Sequence, residues 1–260
     1  MVYKICNKEI FLVNHQLTSH TWRKFECAKK DVDLLVFVYS CLARKYGIEI
    51  LEHQSGPTIL KSKNALLSVN EKWTEACITL LDGQKEGLED VLIAAIMTYL
   101  STRQGIMVHS SLIDFNGKGV MFVGPSGIGK TTQAELWMEY RNAVIINGDM
   151  VLVSVENNEF RGYGCPWHGS TIYCENRQIP LSGIIVLEQS KENTIKRLSG
   201  ITLVERMMKN VFLPHWYQKG VEAAMETVDH LLSNVPVYLM KCRPDEESVE
   251  LVERVLFDKK

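Results

Sequence analysis

Apolar and polar positions along the chain fall into blocks of two different periods. Ile10–Val13, Leu34–Val38, Ile48–Leu51 and Ala76–Leu81 are short apolar runs divided by polar stretches, which predicts a strand-rich segment over residues 1–86. From about Gly87 to Gln104 the spacing becomes helical, and Leu88–Leu100 contains no glycine or proline to break it. A strand around Met107–His109 and a hairpin-like turn at Asp114–Gly119 follow. Gly119–Val123 then reads as a short buried strand and Thr131–Glu139 as a helix. Further on, strands are predicted at Ala143–Ile146, Val151–Val155, Gly183–Glu188 and Val235–Met240. A turn is expected at Asn157-Asn158 and a glycine-rich loop from Gly162 to Gly169. Helices are expected at 201–212, 220–232 and from about Asp245 to Leu256. The alternation of strands and helices after residue 87 predicts an α/β core over 87–260, joined to the strand-rich N-terminal region.

The link between the Gly119–Val123 strand and the helix after it holds the most specific signal. Gly124, Pro125, Ser126, Gly127, Ile128, Gly129, Lys130 and Thr131 fit G-x-x-x-x-G-K-[ST], and Thr132 follows. Glycines in such a loop let successive backbone N–H groups turn inward on an anion, and the helix adds its positive end. Lys130 then reaches the β- and γ-phosphates of a nucleoside triphosphate, and the Thr131 hydroxyl can ligate magnesium. An ordinary glycine-rich turn would leave three glycines, a lysine and two threonines unexplained.

Composition narrows the class of partner. The formal net charge of −2 over 260 residues gives no electrostatic case for nucleic acid or an acidic membrane. No apolar run approaches membrane-spanning length, and Met1–Lys8 lacks the apolar stretch of a signal peptide. The seven cysteines are odd in number, and none forms C-x-x-C, which fits a reduced, cytoplasmic enzyme.

Missing motifs exclude several phosphate-loop classes. No N-K-x-D stands where a guanine reader needs it, and Leu198-Ser-Gly200 is only a fragment of a transporter signature. Val108–Asp114 with its histidine, Phe122–Thr131 and Ile145–Asp149 together resemble the HPr kinase and phosphoenolpyruvate carboxykinase-like superfamily. Gly164–Gly169, Ile179–Glu188 and Val235–Asp245 are similar to a subset of small HPr-kinase-like proteins, some associated with modification of peptide natural products. The resemblance covers roughly residues 90–256 and implies a phosphate-loop kinase core using ATP and magnesium. It implies Asp149 beside Thr131 on the metal side, and His109 as a general acid/base near the transferred phosphoryl group. It also marks a departure: related enzymes carry two adjacent carboxylates where this chain has Gly148-Asp149.

Each candidate has a plainer alternative. Asp149 also reads as a turn residue, and His109 as a buried histidine bonded at a strand end. Trp167, His168 and Gly169 can line an acceptor pocket, while Trp167 equally reads as a packing anchor. Glu188 is a second acidic strand end, and Arg161, Arg177 and Arg197 are candidates for an extra phosphate contact. Trp137 and Tyr140 are expected in the core. The function expected is an ATP-dependent kinase acting on a hydroxyl, a serine above all, of a peptide or protein. Its alternatives are a small-molecule kinase and a nucleotide-dependent binding protein with little turnover.

Overall fold

The computed structural model describes residues 1–41, 58–81, 83–169 and 171–258. The expected strand at Ile48–Leu51 lies outside them. The chain divides into two compact units, one of Met1–Arg103 with Pro214–Ala223 and one of Gln104–Leu213 with Ala224–Lys260.

The first unit is a six-stranded sheet of order β1-β2-β3-β6-β5-β4. Its strands are β1 (Val2–Ile5), β2 (Lys8–Val13), β3 (Leu34–Cys41), β4 (Thr58–Ser62), β5 (Ala65–Val69) and β6 (Glu75–Leu81). In β5 every second residue is buried, the signature of a sheet with one covered face. A short helix, α1 (His20–Arg23), follows β2. Helix α2 (Leu88–Ser101) packs on β4, β5 and β6 and is buried from Ala94 to Ser101 without a polar face. Its periodicity is blurred for that reason, yet its freedom from breakers still made it readable. Strands β1, β4 and β5 are short and mixed in polarity, and no apolar run announced them.

The second unit carries the site. Strand β7 (Gly105–Phe115) is its spine, far longer than the Met107–His109 run suggested. Along one edge β9 (Val144–Asn147) and β10 (Met150–Glu156) lie end to end, pairing Leu112 with Asn147 and His109 with Met150. On the other edge β8 (Lys118–Val123) pairs with Ser110–Phe115, and β14 (Val211–Phe212) with Met107 and Val108. Residues 211–212 are thus a strand rather than the end of a helix. Strand β11 (Glu159–Tyr163) returns along β10 through the left-handed pair Asn157 and Asn158, φ 52° and 61°, as a two-residue hairpin turn requires. Gly162 therefore belongs to a strand, and the glycine-rich loop begins only after it.

Strand β12 (Gln178–Gln189) pairs at its start with β11, then in parallel with β8 and with β15 (Val237–Cys242). The pairings β7-β8-β12-β11-β10-β7 close into a ring. The short β13 (Thr194–Arg197) continues the sheet beyond β15. Neighbouring residues of the central strands face opposite layers. Val120, Phe122, Ile185 and Leu187 pack with Trp137 and Ala134 of α3 (Lys130–Arg141) and Val249 and Val252 of α6 (Glu246–Leu256). Met121, Val123, Ile184 and Val186 pack with Ala224, Val228 and Leu231 of α5 (Gln218–Asn234) and Met207 of α4 (Gly200–Met208). Burial on both faces explains why β8 and β12 read as unbroken apolar runs. Trp137 is fully buried as expected, whereas Tyr140 is exposed, one step round the helix from the packed stripe.

Candidate functional site

Strand β8 ends in the glycine loop, and α3 begins at Lys130 with Gly129 as its N-cap. Gly124, Gly127 and Gly129 have φ of 153°, 77° and 111°, in the region that favours glycine. The turn is held by the Ile128 N–H donating to Pro125 O at 3.3 Å. Lys130 is only 6% exposed, and its Nζ donates to Gly124 O at 3.1 Å and Pro125 O at 3.3 Å. Burial holds its amine below the ordinary lysine value, with the Asp149 charge opposing that shift. Ser111 of β7 donates to Lys130 O at 2.9 Å and fixes the first turn of the helix from behind.

The opposite wall comes from the break between β9 and β10. Asn147 is fully buried and does four jobs there. Its Oδ1 accepts from the N–H groups of Asp149 and Met150, both at 2.9 Å, and its Nδ2 donates to Cys165 O at 3.1 Å and Trp167 O at 3.0 Å. One amide therefore shapes the Asp149 turn and ties the 164–169 loop to it. Asp149 O accepts from Ser110 N at 3.0 Å, and the Thr131 hydroxyl donates to Gly148 O at 3.1 Å. The Asp149 Oδ1 lies 3.2 Å from His109 Nε2. The His109 backbone is fixed in turn by its main-chain N–H donating to Asn210 O at 2.7 Å, and the Phe212 ring lies beside its imidazole.

A cavity of about 240 Å³ opens between these walls. It is lined by His109, Gly148 and Asp149 on one side and by Ser126, Gly127, Gly129, Lys130, Thr131 and Thr132 on the other. Of the other residues singled out in the sequence, Gly124, Pro125 and Ile128 build the loop behind that lining. Trp167 is buried, His168 bonds through Nδ1 to Gly169 O, and none of 167–169 lines this cavity. Gly169 instead lies against Asp149, where a Cβ would come within 2.9 Å of the carboxyl carbon. Glu188 is engaged by Lys241 at 2.9 Å and Arg206 at 3.0 Å, and the Lys241 ammonium beside it draws its carboxyl below the usual range. Arg161 pairs with Glu156 and Glu159, Arg177 pairs with Asp114, and Arg197 sits on β13; none reaches the cavity.

Sequence reasoning passed over Asn147, Ser111 and Asn210, because a buried amide or hydroxyl serving the backbone has no spacing rule. The signal that was present is the Asn-Gly-Asp run, since asparagine caps N–H groups two residues ahead. Gly148 is also clearer in the structure. Its N–H donates to Tyr173 O at 3.2 Å, and a Cβ there would meet Thr171 Oγ1 at 2.7 Å. Close approach, rather than only a missing carboxylate, accounts for the glycine. Gly148→Asp is expected to lower the unfolding midpoint by about 2–4 °C, roughly 1 kcal/mol for a chain of this size, without raising activity. Calorimetry alongside initial rates checks this; an unchanged midpoint with faster transfer would show that the position simply lacks its acid.

Residues 87–257 match the family model described as "SynChlorMet cassette protein ScmC". The HPr kinase/phosphorylase of Mycoplasmopsis pulmonis (strain UAB CTIP) is 39% identical over 57 residues, 22% of this chain and 18% of that protein. The chain thus aligns with less than a fifth of that relative's length. Among solved structures, the Hpr(Ser) kinase/phosphatase from Coxiella burnetii is 12% identical, with a TM-score of 0.35, over 57% of this chain and 95% of the other. Among the described residues, no helix is long and apolar enough to cross a membrane.

Proposed function

The chain belongs to the family described as SynChlorMet cassette protein ScmC, and we propose that it is an ATP- and magnesium-dependent kinase that transfers the γ-phosphoryl group to a hydroxyl, a serine of a peptide or protein. The observation that carries this reading is a single cavity with the glycine loop, Lys130 and Thr131 on one wall and the His109–Asp149 pair on the other. The local likeness to an HPr kinase/phosphorylase supports the reaction class.

In this reading the loop amides and the first turn of α3 hold the phosphates, and the Lys130 ammonium offsets charge growing on the transferred group. The donor set fits a magnesium ion: Thr131 Oγ1 keeps lone pairs after donating to Gly148 O, and Asp149 keeps one oxygen beyond its contact with His109. A magnesium ion held by Thr131 and Asp149 would supply neutralisation of phosphate charge. Asp149 accepting from Nε2–H selects the His109 tautomer whose Nδ1 can take the proton of the attacking hydroxyl. Phosphoryl transfer depends mainly on positioning, so one oriented histidine suffices where related enzymes use two carboxylates.

The test is transfer of label from γ-labelled ATP, with magnesium, to serine-containing peptides and to small hydroxyl compounds. Label is expected on peptide serine, and Asp149→Asn is expected to reduce transfer by roughly 10²-fold or more while raising the magnesium requirement. Label found only on small hydroxyl compounds would replace the peptide acceptor. Tight ATP binding without transfer to any acceptor would point to a nucleotide-dependent binding protein.

A further inference from the structure

Strand β14 carries one apolar ring to the edge of the cavity. Its register sets Phe212 opposite Met107, and Met107 lies two residues before His109, so the three side chains leave one face of the sheet. The Phe212 and His109 rings stand 6.4 Å apart, centroid to centroid, and Phe212 is 37% exposed. Its neighbours anchor the strand without it. Val211 and Leu213 point the other way and pack against the core shared with α4 and α5, and the Asn210 carbonyl accepts from His109 N. The cavity itself is lined by glycines and by hydroxyl, charged and imidazole side chains. Phe212 therefore offers, at the His109 edge, a surface of different chemistry from the cavity's own.

We propose that Phe212 selects the acceptor: the site takes serine from an extended peptide that carries a bulky apolar residue two positions away. This rests on the kinase reading above and narrows its substrate class. The spacing supports it. In an extended chain, residues two apart point the same way and lie about 6.6 Å from each other. The imidazole and the Phe212 ring are 6.4 Å apart on one face. A serine whose hydroxyl meets His109 thus brings its second neighbour over Phe212, while its immediate neighbours point away from the sheet. Covering a half-open phenyl ring removes apolar surface from water on both partners. A glycine or an aspartate at that position leaves the ring wet, and an aspartate also loses its own hydration against it.

The experiment follows label from γ-labelled ATP, with magnesium and the full chain, into single-serine peptides of equal length. They carry leucine, glycine or aspartate two positions from the serine on both sides, or leucine only at the adjacent positions. Leucine two positions away is expected to raise kcat/KM roughly tenfold over glycine or aspartate, mainly through KM, and adjacent leucine to give no such gain. Phe212→Ala should cost the favoured peptide about tenfold and the glycine peptide far less, and Phe212→Leu should restore most of the preference. Phe212→Thr, whose branched side chain suits a strand, tests the same point should alanine loosen β14, with unfolding midpoints as the check on folding. Equal rates for all peptides in the wild type would overturn the proposal. A preference that survives Phe212→Ala, or an equal fall for every peptide, would overturn it too, since the ring would then not be what selects. Absence of label from every peptide would instead overturn the peptide-kinase reading, and this one with it.

Discussion

Lys130→Met is expected to abolish phosphoryl transfer, by roughly 10²–10³-fold or more, without costing stability. The two halves of that expectation have one cause. The ammonium is buried against Gly124 O and Pro125 O, and burial lowers its pKa. A lysine whose folded pKa is depressed binds its proton less readily than in the unfolded chain. Stability should therefore rise with pH between the lowered value and the ordinary one of 10.5. Methionine fills a similar volume and carries no such penalty. The variant's unfolding midpoint should equal or exceed the wild type's at neutral pH, and its advantage should shrink as pH climbs toward 10.5. Turnover and thermal midpoint measured together across that range decide the matter. A folded variant with wild-type transfer would remove Lys130 from the reaction, and a large loss of stability at neutral pH would refute the account of its burial.

The second large effect is expected at a residue outside the motif. Asn147→Leu keeps the side-chain volume but strands the N–H groups of Asp149 and Met150 and leaves the carbonyls of Cys165 and Trp167 with thiol donors alone, all around a fully buried side chain. Each unsatisfied buried group costs about 1–3 kcal/mol, so even partial relaxation leaves a loss of roughly 3–5 kcal/mol. For a chain of this size that is a fall of about 10 °C in midpoint. Asn147→Asp separates the two halves of the network. It keeps the acceptor for Asp149 N and Met150 N but turns a carboxylate on the carbonyls of Cys165 and Trp167, so it should also destabilise. A midpoint within about 2 °C of wild type for both variants would show that the clamp is not under strain-free control of this amide. Transfer should fall in both, because Asp149 and the 164–169 loop lose their common anchor.

Much of the cavity's glycine-loop wall was readable in advance, since a run of glycines followed by lysine and threonine between a strand and a helix is a local pattern. The α/β class and the elements that carry the site were readable for related reasons: β8 and β12 are short apolar runs, α6 is strongly amphipathic, and Asp245 does cap α6 by accepting from Ser248 N. The rest depends on partners distant in sequence. His109 and Asp149 meet because His109 and Met150 are paired across two strands. The commitment of Glu188 to Lys241 and Arg206 is set by the neighbouring strand and by α4. Nothing local in the sequence marks Arg243, whose place is set by its bonds to Lys191 O and Asn193 Oδ1. Short strands such as β11 and β14 were missed because their pairing comes from β10 and β7 rather than from their own residues.

The closing of β7, β8, β12, β11 and β10 on one another also bears on how copies of the chain meet. Strands that finish in a ring have their ladder groups spent on each other, which leaves β13 as the margin of the β8-β12-β15 run. That margin is four residues long and ends in Lys196 and Arg197, both turned to solvent. A second chain laid along it would bring like charges together over a very short ladder, so this margin is guarded against growing by strand addition.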